Sequence, residues 1–295
     1  MRILVPTDFS ELSIKALKVA NTYAKMFNGK VYPFHSHVPI TELDEPYALG
    51  MSSQVYQDYE EIESSIKEKL DSLAEKHIDP VHFGKALIGT GNPAQSIVVE
   101  SEDYDIIIMS THGRTGFTRF LLGSVAEKVL RMAEIPVMVV ENESEIDAFK
   151  KILVTTDFSD NANAAYPHAL KIARKTGGSI ILLHILSFEQ FNEEESDLSL
   201  KKIREQRLQV IEKEYFHELN GKVESKVIVS DDSPHEAIIK HVHDNPYNLI
   251  VMSTVGRTGL RYLMMGSTTA NVVRYVKTAV LSIRPEKAST ATETE

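Results

Sequence analysis

Short apolar runs alternate along the first half of the chain with longer segments whose apolar residues recur at helical spacing. Residues 3–5 form the first such run. Behind it, Asp8 and Ser10 occupy a helix-start position, and Leu12, Ala16, Leu17, Ala20 and Ala24 recur on one helical face until Asn28-Gly29 closes the segment. The same alternation predicts strands at 31–34, near 83–88, at 106–109 and at Val137–Val140. Helices are predicted around 56–77, at 94–101 with Ile97 and Val98 as the apolar face, and at 125–132. Strands that are continuously apolar, each followed by a helix, predict a parallel sheet covered on both faces, because right-handed crossovers place helices on either side. In open sheets of this kind ligands collect beyond the carboxyl ends of the strands, where the winding reverses. Asp8 and the loop 110–116 fall at those ends.

The whole pattern then returns. Arg2-Ile-Leu-Val-Pro-Thr-Asp-Phe-Ser10 reappears as Lys151-Ile-Leu-Val-Thr-Thr-Asp-Phe-Ser159, identical at seven of nine positions, and MSTHGRTGFTRFLLGS from Met109 reappears as MSTVGRTGLRYLMMGS from Met252, identical at nine of sixteen. Asp8 pairs with Asp157 and His35 with His184 at an offset of 149, whereas Gly113 and Gly256 are offset by 143, so the second copy is a net six residues shorter in its middle. A period near 149 exceeds the roughly 20–50 residues of solenoid repeats and fits two whole domains. Second-copy strands are expected at 152–154, 180–183, 226–229, 249–252 and 280–283, with Asp231-Asp232-Ser233-Pro234 after the third. The polar stretch 141–150 reads as a linker. The expected division is residues 1–143, residues 150–286, and a tail at 287–295 without large apolar side chains, expected to be disordered.

Composition narrows the function. At 295 residues, 42% hydrophobic and 25% charged, the chain can build two cores. No apolar stretch approaches the roughly 20 residues of a membrane span, and the N-terminus lacks the features of a signal peptide. The absence of cysteine excludes disulfides and thiolate metal sites, and a cytoplasmic location is expected. A net charge of −10 argues against nucleic-acid and anionic-membrane partners, both of which need a basic face.

The repeated glycine loop supplies the candidate chemistry. Glycines at a strand-to-helix turn let a phosphate approach the backbone, and the helix N-terminus beyond is electropositive. Gly123-Ser124 and Gly266-Ser267 read as helix starts, where the hydroxyl either caps the helix or meets a phosphate; Asp8 and Asp157 have a competing reading as helix caps. Arg114 and Arg257 either steer an anion or are simply solvated. His35 and His37 alternate on one strand, but the second copy keeps only His184, which favours a structural histidine over a metal pair. His241 and His243, two apart on a helix, do not face each other.

Nine residues separate Gly113 from Gly123, and nine separate Gly256 from Gly266, each pair ending in Ser. This resembles the ATP-binding branch of the universal stress protein family, whose fingerprint is Gly-x2-Gly-x9-Gly-[Ser/Thr]. The resemblance covers the chain twice, and the family's first glycine stands here as Ser110 and Ser253. A serine there either crowds ribose or phosphate or donates a hydrogen bond to them.

The resemblance implies an α/β fold of two repeated doubly wound five-stranded parallel-sheet domains. These would be Rossmann-like, of the adenine nucleotide alpha hydrolase-like kind, paired through their fifth strands into an intrachain pseudo-dimer, with a homodimer of chains as a further expectation. It also implies an adenine nucleotide, ATP or AMP, with or without Mg²⁺. Pro6, Thr7 and Asp8 would sit against ribose or adenine, Ser36 would line the adenine pocket, and Met109, Ser110, His112, Gly113, Arg114 and Gly116 would meet ribose and phosphates, with Gly123, Ser124 and Val125 holding the phosphate chain. The second-half counterparts are Thr155, Thr156, Asp157, Ile185, Met252, Ser253, Val255, Gly256, Arg257, Gly259, Gly266, Ser267 and Thr268. No catalytic base or Gly-Lys-[Ser/Thr] phosphate clamp is evident, so the expected role is a stress-response regulator or sensor with at most slow ATP hydrolysis. The alternative is a scaffold of the same fold that binds no nucleotide.

Overall fold

The structure, a computed structural model, describes residues 1–37, 53–112, 122–141, 149–187, 197–256 and 265–285, without the side chains of 53–60 and 197–198. The first half runs β1 (Arg2–Pro6), α1 (Glu11–Phe27), β2 (Lys30–His37), α2 (Ser53–His77), β3 (Leu87–Thr90), α3 (Pro93–Glu100), β4 (Ile106–Ser110), α4 (Ser124–Met132) and β5 (Val137–Val140). The second runs β6 (Lys151–Thr155), the short α5 (Asp160–Asn163), α6 (Ala165–Thr176), β7 (Ser179–Ser187), α7 (Asp197–Tyr215), β8 (Val223–Ser230), α8 (Pro234–Asp244), β9 (Leu249–Ser253), α9 (Ser267–Tyr275) and β10 (Ala279–Ile283).

All ten strands form one sheet in the order β3-β2-β1-β4-β5-β10-β9-β6-β7-β8. Neighbours within each half are parallel. At the centre β5 and β10 pair antiparallel, with Val139 opposite Val280, Met138 opposite Leu281 and Val137 opposite Ser282.

Alternate residues of each strand point to opposite faces, so the continuous apolar strands feed two cores. Ile3, Val5, Ile106, Ile108, Met138 and Val140 join α1, α2, α6 and α7 on one face. Leu4, Ile107, Met109, Val137 and Val139 join α3, α4, α8 and α9 on the other. Each core passes through both halves. Arg284, just past β10, donates from Nη1 to the carbonyls of Arg131 (3.0 Å) and Ala133 (3.3 Å), tying the second half to the C-terminus of α4.

The third strand differs from its expected bounds. Residues 80–82 wind into a 3-10 turn whose Val81 amide donates to Asp79 Oδ1, and Phe83 makes only an isolated bridge to Val31 before β3 begins at Leu87. Gly84 leaves room there for the Tyr32 ring, which a Cβ would approach to 2.5 Å. The αL residue Asn28 closes α1, as its sequence position suggests.

His241 of α8 is buried and shares a 2.8 Å hydrogen bond with the Tyr247 hydroxyl, and burial holds its pKa below the ordinary 6.5. The folded chain therefore takes up this proton less readily than the unfolded chain, and stability falls as pH drops below about 6.5. The urea midpoint is expected to fall between about pH 7.5 and about pH 5.5, and His241→Gln is expected to lose less over the same interval. Equal losses in both proteins would remove His241 as a cause.

Candidate functional site

The winding reverses between β1 and β4 in the first half and between β6 and β9 in the second, because α1 and α2 cover one face and α3 and α4 the other, as do their counterparts. At both places the strand end is locked by a matching set of bonds that differs in the partner of the threonine hydroxyl. Thr7 Oγ1 accepts from the Phe9 amide (3.1 Å) and bonds Ser13 Oγ (2.8 Å), while Asp8 Oδ1 accepts from the Ser10 amide (3.1 Å) and hydroxyl (2.6 Å). Ser10 Oγ in turn accepts from the Ser13 amide at 3.2 Å and is the N-cap of α1. In the second half Thr156 bonds the Phe158 amide (3.0 Å) and the Tyr166 hydroxyl (2.6 Å), and Asp157 Oδ1 bonds Ser159 at 3.0 and 2.6 Å. Asp8 and Asp157 are thus not caps themselves; they orient the serines that are.

Phe9 (φ 67°) and Phe158 (φ 63°) adopt the left-handed conformation, uncommon for a bulky residue. A histidine braces each turn: His35 Nδ1 lies 2.7 Å from the Thr7 carbonyl and its ring 4.7 Å from Phe9, and His184 lies 2.8 Å from the Thr156 carbonyl and 4.2 Å from Phe158. This is the structural role the repeated histidine suggests.

Across the crevice, the amide of Gly123 donates to the Thr111 carbonyl (2.8 Å) and that of Gly266 to the Thr254 carbonyl (2.7 Å). Each glycine is the N-cap of its helix and offers no side chain to the first-turn amides. Ser124 and Ser267, read from the sequence as potential caps, are instead the exposed first residues of α4 and α9. The electropositive helix ends therefore face the crevice without a side-chain cap from their N-cap residues. Gly256 lies against the aspartate: a Cβ there would stand 2.8 Å from Asp157 Oδ2.

The serines replacing the family's first glycine turn inward. Ser110 Oγ donates to the His112 carbonyl and Ser253 Oγ to the Val255 carbonyl, both at 3.0 Å. Pro6, Thr7, Thr155, Thr156, Met109 and Met252 are buried at the strand ends, and Val125 and Thr268 are half-buried in the first helical turns. Ser36 Oγ donates to the Gly91 carbonyl at 3.2 Å, whereas its counterpart Ile185 is buried in an apolar core. Gly113, Arg114, Gly116, Arg257 and Gly259 lie outside the described residues.

The halves differ at His112, whose Nδ1 lies 2.8 Å from Thr111 Oγ1 and 3.4 Å from Glu141 Oε1; Thr111 Oγ1 donates to that carboxylate at 2.6 Å. His112 Nε2 is buried and has no hydrogen-bond partner among the described residues. Val255 replaces this histidine with a buried apolar side chain. Thr111, Glu141 and the two arginines beside Phe158, Arg207 at 4.6 Å and Arg204 at 5.8 Å from the ring centre, escaped the sequence reading because they lie far in sequence from the glycine loop or outside its fingerprint.

The model of the universal stress protein family matches residues 1–141 and again residues 148–284. Universal stress protein MJ0531 of Methanocaldococcus jannaschii is 35% identical over 144 residues, 48% of this chain and 81% of that protein. A universal stress protein of Mycolicibacterium smegmatis is 24% identical over 294 residues, 96% of this chain and 97% of that protein. The crystal structure of a universal stress protein from Archaeoglobus fulgidus shares the fold, with a TM-score of 0.65 at 24% identity over 96% of each chain.

The two N-cap glycines provide an internal control. A Cβ at Gly123 would lie 2.7 Å from the Thr111 backbone carbonyl, but one at Gly266 would lie 3.3 Å from the Thr254 carbonyl. Gly123→Ala is expected to destabilise the chain by about 1–2 kcal/mol more than Gly266→Ala, measured by denaturant midpoints. Equal costs would show that the first crevice relaxes as readily as the second.

Proposed function

The chain belongs to the universal stress protein family, with two copies of its domain in tandem, and from that premise we propose that it binds adenine nucleotide, ATP or AMP, as a cytoplasmic stress-response regulator or sensor. The observation that carries this reading is the frame built twice at the winding reversal: an aspartate oriented by its turn, facing a helix whose N-cap is a glycine held to the preceding strand's loop. The close approach at Gly123 and Gly256, where a Cβ would meet Thr111 O or Asp157 Oδ2, fits a cradle kept open for a ligand's backbone contacts. The buried, unpartnered His112 Nε2 supplies a polar atom that a bound group would satisfy.

In this reading Asp8 and Asp157 receive the ribose or adenine edge, with Pro6, Thr7, Ser36 and Met109 lining the first pocket and Thr155, Thr156, Ile185 and Met252 the second. First-turn amides of α4 and α9, with the exposed hydroxyls of Ser124 and Ser267, meet the phosphates and any Mg²⁺ they carry. Gly113, a fingerprint position, and Arg114, Gly116, Arg257 and Gly259 of the two glycine loops belong to the same proposal. The bound nucleotide supplies occupancy as a signal, and hydrolysis is at most slow.

Calorimetric titration of the purified chain is expected to give binding of ATP or AMP at high micromolar concentrations or below; no heat with ATP, ADP or AMP, and no co-purifying nucleotide, would sink the proposal. Because the Ser110 and Ser253 hydroxyls are directed into their own turns, restoring glycine at both is expected to change nucleotide affinity by less than about threefold, well under 1.4 kcal/mol. A large gain on restoration would instead favour the scaffold reading.

A further inference from the structure

The ten-stranded sheet ends in two unequal edges. At one, β3 is a strand only over Leu87–Thr90, because the 3-10 turn at 80–82 and the isolated bridge of Phe83 take up the residues before it. At the other, β8 runs from Val223 to Ser230 in unbroken register with β7, and no strand lies on its outer side among the described residues. The Lys222 carbonyl accepts from the Ile180 amide at 2.8 Å, so Lys222, Glu224, Lys226 and Ile228 turn their backbone groups toward β7. Val223, Ser225, Val227 and Val229 turn theirs outward, and such a row of donors and acceptors is a template for another strand.

The sequence of this edge is complementary to its own reverse. Laid antiparallel on a second copy about Ser225, the stretch Val223-Glu224-Ser225-Lys226-Val227 sets Val223 against Val227, Glu224 against Lys226 and Ser225 against itself. The faces agree as well. Ile228 packs into the core of α8, and Val223, Val227 and Val229 into the core of α7, so alternation puts Glu224 and Lys226 on the α8 face and the valines on the α7 face. Ser225, also on the α7 face, donates from Oγ to Glu212 Oε2 at 3.0 Å and ties that carboxylate to its own strand. In this register the residues set opposite with outward backbone groups are Val223 with Val227 and Ser225 with Ser225, and each such pair exchanges both N–H···O bonds. A slip of one residue would oppose outward groups to groups already turned toward β7. The first half has no such edge. Ile88 stands beside His35 as Val227 stands beside His184, which aligns Gly84-Lys85-Ala86-Leu87-Ile88 with the five residues. Turned on itself, that stretch would face Lys85 with Leu87, and only its last two residues belong to a strand.

We propose that β8 is an interface between two copies of this chain, which pair antiparallel about a two-fold axis at Ser225 and join their sheets edge to edge. The contact is isologous: Glu224 of each copy meets Lys226 of the other, so one complementary pair is made twice. It lies at the opposite end of the second half from β10, leaves the junction of the halves untouched, and stands independently of the nucleotide reading.

Sedimentation equilibrium of the full chain is expected to show monomer and dimer in exchange. Glu224→Lys and Lys226→Glu each set like charges opposite one another twice, and each is expected to weaken the dimer about tenfold or more. In an equal mixture of these two variants every cross-strand pair is again of opposite charge, so the mixture is expected to dimerise within about threefold of the unmodified chain. The Glu224→Lys/Lys226→Glu double variant is expected to do the same. Mixing would not repair a variant that had merely misfolded. An unmodified chain that stays monomeric up to about 100 μM, single variants that dimerise as tightly as it does, or a mixture that stays monomeric would overturn the inference.

Discussion

The antiparallel contact of β5 with β10 is the constraint on which the rest of the structure depends. Val137, Met138, Val139, Val280 and Leu281 are no more than 3% exposed, and each such side chain contributes roughly 1.5–3 kcal/mol by burial. Separated, either half would end in an apolar strand with an unpaired row of N–H and C=O groups. Joined, the halves share one sheet and two continuous cores, and Arg284 reinforces the junction from the second half onto α4 of the first.

The antiparallel sense of that junction also sets the geometry of function. Strands of the first half run opposite to those of the second, so the carboxyl ends of β1 and β4 open at one end of the strands and those of β6 and β9 at the opposite end. The two crevices are therefore separate places, free to diverge. What they share is the strand-end turn, in which a left-handed phenylalanine of a kind that costs about 1–3 kcal/mol is held by a threonine, an aspartate and a histidine. Where they diverge is in the charges that neighbouring elements deliver.

Much of this was legible in the sequence. Continuous apolar strands gave the parallel halves, and the repeat of Asp8, His35 and Gly123 as Asp157, His184 and Gly266 marked the crevice residues before any contact was known. Strand ends were less legible: β3 begins at Leu87 because a proline turn at 80–82 takes up residues that otherwise look β-like. The roles of the serines stayed open in the sequence for a related reason. A Ser after Gly can be N-cap or first helical residue, and only the backbone of Gly123 and Gly266 decides it.

The sequence by itself determined the two domains, the order of elements and the aspartate and glycines at the strand ends, because these follow from local periodicity and from internal repetition. Only the tertiary structure decided that Glu141 joins Thr111 and His112, that Arg204 and Arg207 stand over Phe158, and that Ser110 and Ser253 point into their own turns. Those contacts depend on how helices lie across a twisted sheet and on single side-chain directions, neither of which a linear pattern of apolar and polar residues encodes.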